Sequence, residues 1–264
     1  MRLLLLAALF LSFITVLMTA PVAALEGRFQ VNGLDLVLRL DDGRVFRGQA
    51  LTGMTLVLGT PAGDTEIRID GVAHEEEIRG QPATFFRMST KDREGADKDL
   101  CQPDPDGERI AFAYPNGAGG FSLTCTSGAE GKCILFGYRP WEATEGMPMR
   151  DLHQACIHLL RADYGGDDRP TTRNGTLINL YDRFGIQDPG KAAGMTFEAA
   201  WGPDGAVCVA HPRIPDTVTL DQLAERYPRL KGRLGPEACT ESAMRADSRA
   251  LIFNQSAVID SSAK

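Results

Sequence analysis

Six cysteines, all downstream of residue 24, constrain the fold of this chain more than any other feature. An even number of cysteines is typical of exported proteins, in which they pair as disulfides. Zinc ligation is the alternative, but the chain contains no CxxC or HxxxH spacing and the intervals are irregular. The sequence therefore predicts three disulfides, with their connectivity left open, and no metal site. The cysteines are Cys101, Cys125, Cys133, Cys156, Cys208 and Cys239.

The N-terminus predicts export. Arg2 precedes a nearly unbroken apolar run, Leu3–Met18, and small residues lead up to Ala24. A basic start, an apolar stretch and a small-residue ending are typical of a cleaved secretory signal peptide, here residues 1–24. An uncleaved membrane anchor is the alternative, because about 18 apolar residues can just span a bilayer. We expect a periplasmic or extracellular protein that is not integral to the membrane after cleavage.

Composition narrows the classes of partner. The 264 residues carry 28 Lys and Arg against 35 Asp and Glu, a formal net charge of −7. Nucleic acid and anionic lipid need clustered cations, so the sequence predicts neither as the main partner. The chain contains no phosphate-binding P-loop, no dinucleotide fingerprint and no GxSxG motif. No cofactor is therefore predicted, and the partner is left unknown.

Apolar periodicity predicts an α+β fold in which antiparallel sheet outweighs two or three short helices. Residues 25–99 alternate in the manner of β-hairpins, whereas residues 100–264 contain the helical patterns. The clearest helix is expected over residues 147–162, and a capping box predicts another over residues 219–227. We expect a β-rich N-terminal segment followed by a disulfide-stapled α+β domain, with residues 91–108 as linker or surface loop.

The stretch 160–176, "LRADYGGDDRPTTRNGT", concentrates acidic side chains behind the predicted helix. Asp163, Asp167 and Asp168 offer oxygen ligands for a hard cation, but their spacing does not match the EF-hand pattern. The stronger interpretation is a turn, in which Gly165-Gly166 end the helix in a left-handed conformation and the acids are solvated.

Two further features carry functional hypotheses. His153 lies three residues before Cys156 on the predicted helix, where a Cys–His pair would be a nucleophile and its base. A cysteine oxidised to a disulfide and a core histidine are the stronger interpretation. Trp141 and Trp201 are predicted to be core residues, although an exposed tryptophan would serve a sugar or peptide site.

Three segments resemble the ADYC domain, a family of exported bacterial proteins named for an Ala-Asp-Tyr-Cys signature. They are "GKCILFGYRPWE" (131–142), "LHQACIHLLRADYGGDDRPTTRNGTLINLYDRFGIQ" (152–187) and "FEAAWGPDGAVCVAHPRIP" (197–215). The resemblance spans roughly residues 100–255, and residues 25–99 add little to it. The family has no established activity, ligand or catalytic residues, so none is transferred to this chain.

The departure from the signature carries a hypothesis of its own. Gly165 stands where the family has cysteine, and an even cysteine count suggests that a partner cysteine was lost as well. Similar proteins tend to read Cys-Pro where this chain has Tyr227 followed by proline. The resemblance therefore implies a missing disulfide between positions 165 and 227, and a structural rather than catalytic signature cysteine.

The sequence favours a non-enzymatic module with a binding or structural role at the cell envelope, through protein or glycan contacts. Catalytic residues are predicted to be absent. The alternative is a hydrolase-like enzyme whose acid and histidine site gathers His153, Asp163 and Asp167, with Asp182 as a further member. An enzyme needs a deep pocket with converging acids, whereas a binding module needs only a shallow patch beside a tryptophan.

Overall fold

The N-terminal part of the chain is built from antiparallel hairpins. The computed structural model describes residues 27–60, 63–117, 119–191 and 193–258. The predicted signal peptide, residues 1–24, lies outside these ranges. The first three strands form a sheet in chain order, with β1 paired to β2 and β2 to β3. They are β1 (Gly27–Asn32), β2 (Asp35–Leu40) and β3 (Val45–Arg47).

A larger antiparallel sheet follows in the order β4-β5-β6-β8-β9, with the short β7 paired to β6. Its apolar side packs against the first sheet around Leu36, Phe86 and Met88, all of which are buried. The strands are β4 (Thr55–Thr60), β5 (Gly63–Ile78), β6 (Gln81–Lys91), β7 (Asp97–Asp99), β8 (Ala111–Pro115) and β9 (Phe121–Cys125).

Helices enter in the second half of the chain. The helix predicted over residues 147–162 is confirmed as α2 (Met149–Arg161), and its buried face carries Leu152 and Leu159. The predicted capping box is also confirmed, because Thr219 and Gln222 exchange both hydrogen bonds at the start of α3. The remaining helices are α1 (Ala129–Leu135), α3 (Leu220–Arg226) and α4 (Glu241–Ala246).

A four-stranded antiparallel sheet packs against α2. Its order is β10-β13-β11-β12, so the last strand of the chain lies between two earlier ones. Trp201 on this sheet is fully buried in one core with Leu152 and Leu159 of α2. The strands are β10 (Ile178–Asp182), β11 (Met195–Gly202), β12 (Gly205–Val209) and β13 (Ile252–Ala257).

Three disulfides join elements that the chain places close together. They link Cys101 to Cys125, Cys133 to Cys156 and Cys208 to Cys239, with Cα separations of 5.5 to 5.9 Å. The described residues include no free cysteine. The α+β class, the antiparallel sheets and the disulfides are therefore confirmed. Three disulfides are typical of proteins that fold in an oxidising compartment.

The end of α2 differs from its prediction. The helix ends at Arg161, and the left-handed residue that follows it is Ala162, with φ 48°, rather than the glycine pair. Ala162 is fully buried, so tertiary packing holds a conformation that its side chain disfavours. Gly166 does have a left-handed φ of 68°, but it lies four residues further on.

The turn between β5 and β6 contacts the segment between α1 and α2 and the loop that follows β10. Arg79 donates to the carbonyl of Ile186, and Gln81 donates to Glu142 at 2.9 Å. In return, Arg139 donates to the carbonyl of Ile78 at 2.8 Å. The division into residues 25–99 and 100–264 stays a prediction. Within the described ranges, no helix is long and apolar enough to cross a membrane.

Candidate functional site

The acidic stretch behind α2 is a hydrogen-bonded turn, which we call the signature loop (residues 162–168). Asp163 is buried and its carboxylate accepts three backbone N–H groups, from Gly166, Asp167 and Asp168, at 3.0 to 3.2 Å. His158 on α2 donates to the same carboxylate at 3.1 Å. Four donors satisfy one buried carboxylate, so Asp163 shapes the loop instead of facing a substrate.

Tyr164 anchors the signature loop to the sheet. Its ring is buried and stacks on Trp201 with centroids 5.2 Å apart. The hydroxyl donates to Glu198 at 3.0 Å and accepts the backbone N–H of Arg213 at 2.8 Å. Because a buried tyrosine hydroxyl needs both donor and acceptor partners, this geometry holds the loop in a single position.

Beneath Tyr164 lies a fully buried ion pair. The guanidinium of Arg213 meets both oxygens of the Glu198 carboxylate at 3.0 Å, and the two side chains are 1% and 0% exposed. Asn254 donates to Glu198 at 2.7 Å, and Trp201 donates to Asn254 at 2.8 Å. Every oxygen of the carboxylate is used, which is the condition for tolerating a buried charge.

Gly165 lies directly beneath the aromatic ring of Tyr227. A Cβ built at position 165 overlaps that ring, so the glycine makes room for the tyrosine. The Tyr227 hydroxyl donates to Asp167 at 3.0 Å, which ties the end of α3 to the signature loop. The side chain at 227 thus occupies the space that a residue at 165 would need, and the missing-disulfide hypothesis stays a prediction.

The residues proposed for an acid and histidine site each have a separate partner. His153 donates from Nδ1 to the carbonyl of Tyr138 at 2.9 Å, and the histidine bonded to Asp163 is His158. Asp182 accepts the Tyr138 hydroxyl at 2.9 Å together with three backbone N–H groups. No hydrogen bond joins His153 to Asp163 or Asp167 in the described ranges.

A cleft of about 370 Å³ opens beside His153, between the β8–β9 hairpin and helices α1 and α2. We call it the aromatic cleft. It combines two aromatic rings with charged and neutral polar side chains, and small-ligand sites use groups of both kinds. The lining residues used below are Tyr114, Glu130, Trp141, Arg150, His153 and Gln154.

His153 presents an open acceptor to the aromatic cleft. The side chain is 8% exposed, and burial lowers its pKa below the usual value, so the ring is neutral near pH 7. The bond from Nδ1 to Tyr138 fixes the tautomer and leaves Nε2 as an acceptor. Nε2 has no hydrogen-bond partner among the residues that the structure describes. This atom opens into the cleft, where it can accept a hydrogen bond from a ligand or from water.

Two stacked rings, Trp141 and Tyr114, form the aromatic wall of the cleft. Trp141 is half-buried and stacks on Tyr114 with centroids 5.6 Å apart. The Tyr114 hydroxyl donates to Glu130 at 2.7 Å, and burial raises the pKa of that hydroxyl. Sequence analysis singled out His153 and Trp141 but missed Tyr114 and Glu130. No spacing signals these two, because they meet only when β8 packs beside α1.

A second cleft, of about 350 Å³, is lined by Arg229, Arg233 and Arg249. Arg229 donates to four backbone carbonyl oxygens of the signature loop and the β11–β12 hairpin. Arg233 and Arg249 both pair with Asp247, at 3.3 and 2.6 Å. These guanidinium groups already donate to acceptors of the protein. The second cleft therefore has fewer unused hydrogen-bonding groups for a ligand than the aromatic cleft has.

In the described ranges, no group of three or more His, Cys, Asp or Glu side chains converges.

The chain matches a known protein family. The family model of the ADYC domain matches residues 48–215. The match begins further upstream than the resemblance seen in the sequence, includes β4 to β7, and ends before Tyr227. No curated protein and no solved structure matches this chain.

Proposed function

This chain belongs to the ADYC domain family, and we propose that it is an exported, non-enzymatic binding module whose aromatic cleft holds a ligand at the cell envelope. The observation that carries the proposal is a cleft in which two stacked aromatic rings lie beside His153, whose Nε2 has no hydrogen-bond partner among the described residues. A ligand placed there would complete the hydrogen bond that the protein leaves open.

Export is supported by two independent features of the chain. Leu3–Met18 is an apolar run behind a basic residue, and six cysteines form three disulfides. Disulfides of this kind persist in the periplasm or outside the cell. Edman sequencing of the protein purified from its own cell is expected to start at Leu25, the residue after the proposed cut. A start at Met1 in the membrane fraction would instead support an uncleaved anchor.

The absence of catalysis is supported by how the acids are used. Asp163 and Asp182 each accept backbone N–H groups that hold a turn, and Glu198 is neutralised by Arg213. These carboxylates are therefore structural. The aromatic cleft contains one acidic lining residue, Glu130, whereas glycoside hydrolysis needs a pair of carboxyl groups.

A hydrolase-like activity is the second candidate, and one observation favours it. Neutral His153 with a fixed tautomer is the form that acts as a general base. Turnover of nitrophenyl ester and glycoside probes by the wild type, abolished in His153→Gln, would support this alternative. Hydrolysis that is absent, or unchanged in the variant, fits the binding module.

The binding proposal is tested by capture from the cell envelope. Immobilised wild-type protein is expected to retain an envelope component that Trp141→Ala releases, because the substitution removes the aromatic wall. Leu177→Ala is the matched control, since Leu177 is 76% exposed and lies outside the cleft lining. Equal retention by all three proteins, or by none, would overturn a binding role for the cleft.

A further inference from the structure

We propose that the ligand of the aromatic cleft is a neutral saccharide, with one pyranose ring against Trp141 and one hydroxyl donated to His153 Nε2. This inference rests on the binding function proposed above and adds the chemical class of the ligand. Three features of the cleft select that class: its aromatic wall, its unpartnered acceptors and its balance of charge.

The aromatic wall provides a surface for the apolar face of a sugar ring. Tyr114 supports Trp141 from within the protein, so the indole is held in place before a ligand arrives. The face of an aromatic ring is electron-rich and attracts hydrogens that carry partial positive charge. The axial C–H groups of a pyranose are such hydrogens, and those on alternate ring carbons point to the same face of the ring.

The polar side of the cleft presents acceptor atoms that suit a ligand with hydrogen-bond donors. His153 Nε2 is an acceptor without a partner in the described ranges. Glu130 accepts Tyr114 through Oε1, whereas its Oε2 forms no hydrogen bond with any described residue. Two acceptors in one cleft suit a ligand with several O–H groups, and the exposed amide of Gln154 adds a group that can donate or accept.

The balance of charge favours an uncharged ligand. Glu130 lines the cleft and repels anions, as does the whole protein with its net charge of −7. Arg150 lines the same cleft and repels cations, so neither sign of charge predominates in the lining. A neutral ligand with donors on its edge and an apolar face meets all of these conditions, and a neutral pyranose is such a ligand.

Titration calorimetry with cellotriose, maltotriose and the N-acetylated chitin trimer, together with an array of neutral glycans, tests the inference. At least one neutral glycan is expected to bind, and Trp141→Ala is expected to weaken binding at least about tenfold. Trp141→Phe keeps an aromatic face and is expected to retain part of the affinity. Leu177→Ala is expected to bind as the wild type does. Near-UV circular dichroism checks that each variant is folded.

The outcomes separate this inference from the function on which it rests. The proposal of a neutral saccharide would be overturned if no neutral glycan bound in a way that depends on Trp141. It would also be overturned if the protein bound trigalacturonate or a chitosan trimer more tightly than neutral glycans. If the envelope capture still depends on Trp141 and the retained component is a protein, the binding module stands and only the ligand class fails. If neither experiment depends on Trp141, both proposals fail.

Discussion

Two tyrosine–glutamate pairs in this protein have the same chemistry and opposite surroundings. Tyr164 donates to Glu198 at 3.0 Å beneath the signature loop, and Tyr114 donates to Glu130 at 2.7 Å in the aromatic cleft. Glu198 is fully buried, and Arg213, Asn254 and Tyr164 together occupy both of its oxygens. Glu130 is half-buried, and its Oε2 has no hydrogen-bond partner among the described residues.

The comparison separates stabilising polar groups from those available to a ligand. Around Glu198 every donor finds an acceptor inside the protein, so the pair orders the signature loop. The residues after which the family is named therefore lie in the structural region. In the aromatic cleft, Glu130 and His153 each have an acceptor atom to which no described residue donates, and that is where we expect recognition.

The largest expected effect comes from removing one charge of the buried pair. Glu198→Gln leaves the Arg213 guanidinium buried without its counter-ion, and we expect a loss of about 3–5 kcal/mol in the free energy of unfolding. Glu130→Gln is the matched control and is expected to cost less than about 1 kcal/mol, because the group is partly hydrated. Urea denaturation measures both. Equal losses would show that the two regions do not differ as described.

A disulfide across the signature loop is expected to stabilise the protein. In the double variant Gly165→Cys with Tyr227→Cys, removal of the tyrosine ring frees the space above position 165. A bond there would constrain the unfolded chain and add about 2–4 kcal/mol. Thiol counting under denaturing, non-reducing conditions is expected to find no free thiol in the variant or the wild type. Two free thiols in the variant would refute the missing-disulfide hypothesis.

The stability contributed by Asp163 depends on pH. Burial alone would raise the pKa of its carboxyl, but hydrogen bonds from His158 and from backbone amides hold it below the ordinary value of 3.8. The stabilisation is therefore present above that value and is lost as the pH falls through the folded pKa. Asp163→Asn is expected to cost about 1.5–3 kcal/mol at pH 7.

That difference between wild type and Asp163→Asn is expected to shrink as the pH falls below 3.8. Asp247, whose pKa is also lowered, is present in both proteins and cancels in the comparison. Chemical denaturation at several pH values measures the difference. A gap that stays constant down to pH 2 would show that the Asp163 charge contributes nothing.

The smallest expected effect is the difference between two glycine-to-alanine substitutions, one at a closely packed position and one at an open position. Gly166 and Gly175 both have left-handed φ values, 68° and 82°, but only at Gly166 does a Cβ collide, with the carbonyl of Asp204. Alanine costs about 1–2 kcal/mol for the left-handed conformation alone. We expect Gly166→Ala to cost about 1–2 kcal/mol more than Gly175→Ala in thermal and urea unfolding.

Sequence patterns predicted the helices and caps that depend on interactions between residues close together in the chain. The 3.6-residue apolar period over residues 147–162 and the Thr219–Gln222 capping box depend on neighbours within a few residues, and both are confirmed. The short helices α1 and α4 were missed, since six or seven residues carry too little periodicity. The left-handed Ala162 was missed because packing, not propensity, holds it.

Candidate sites were predictable only in part, for the same reason. His153 and Trp141 drew attention by residue type, but nothing nearby in the sequence marks Glu130 as their neighbour. The acids of the signature loop are conspicuous in the sequence, yet backbone amides of the same loop bind Asp163. Residue type therefore suggested chemistry, and contact between distant segments decided where it is available.

By itself, the sequence determined that the cysteines pair, that antiparallel sheet dominates and where the main helix lies. These properties follow from cysteine number and short-range periodicity. Tertiary structure alone decided which carboxylate is neutralised and which stays open. Glu198 meets Arg213 across 15 residues and Asn254 across 56, and such pairs have no local signal because they depend on how the sheet folds back onto α2.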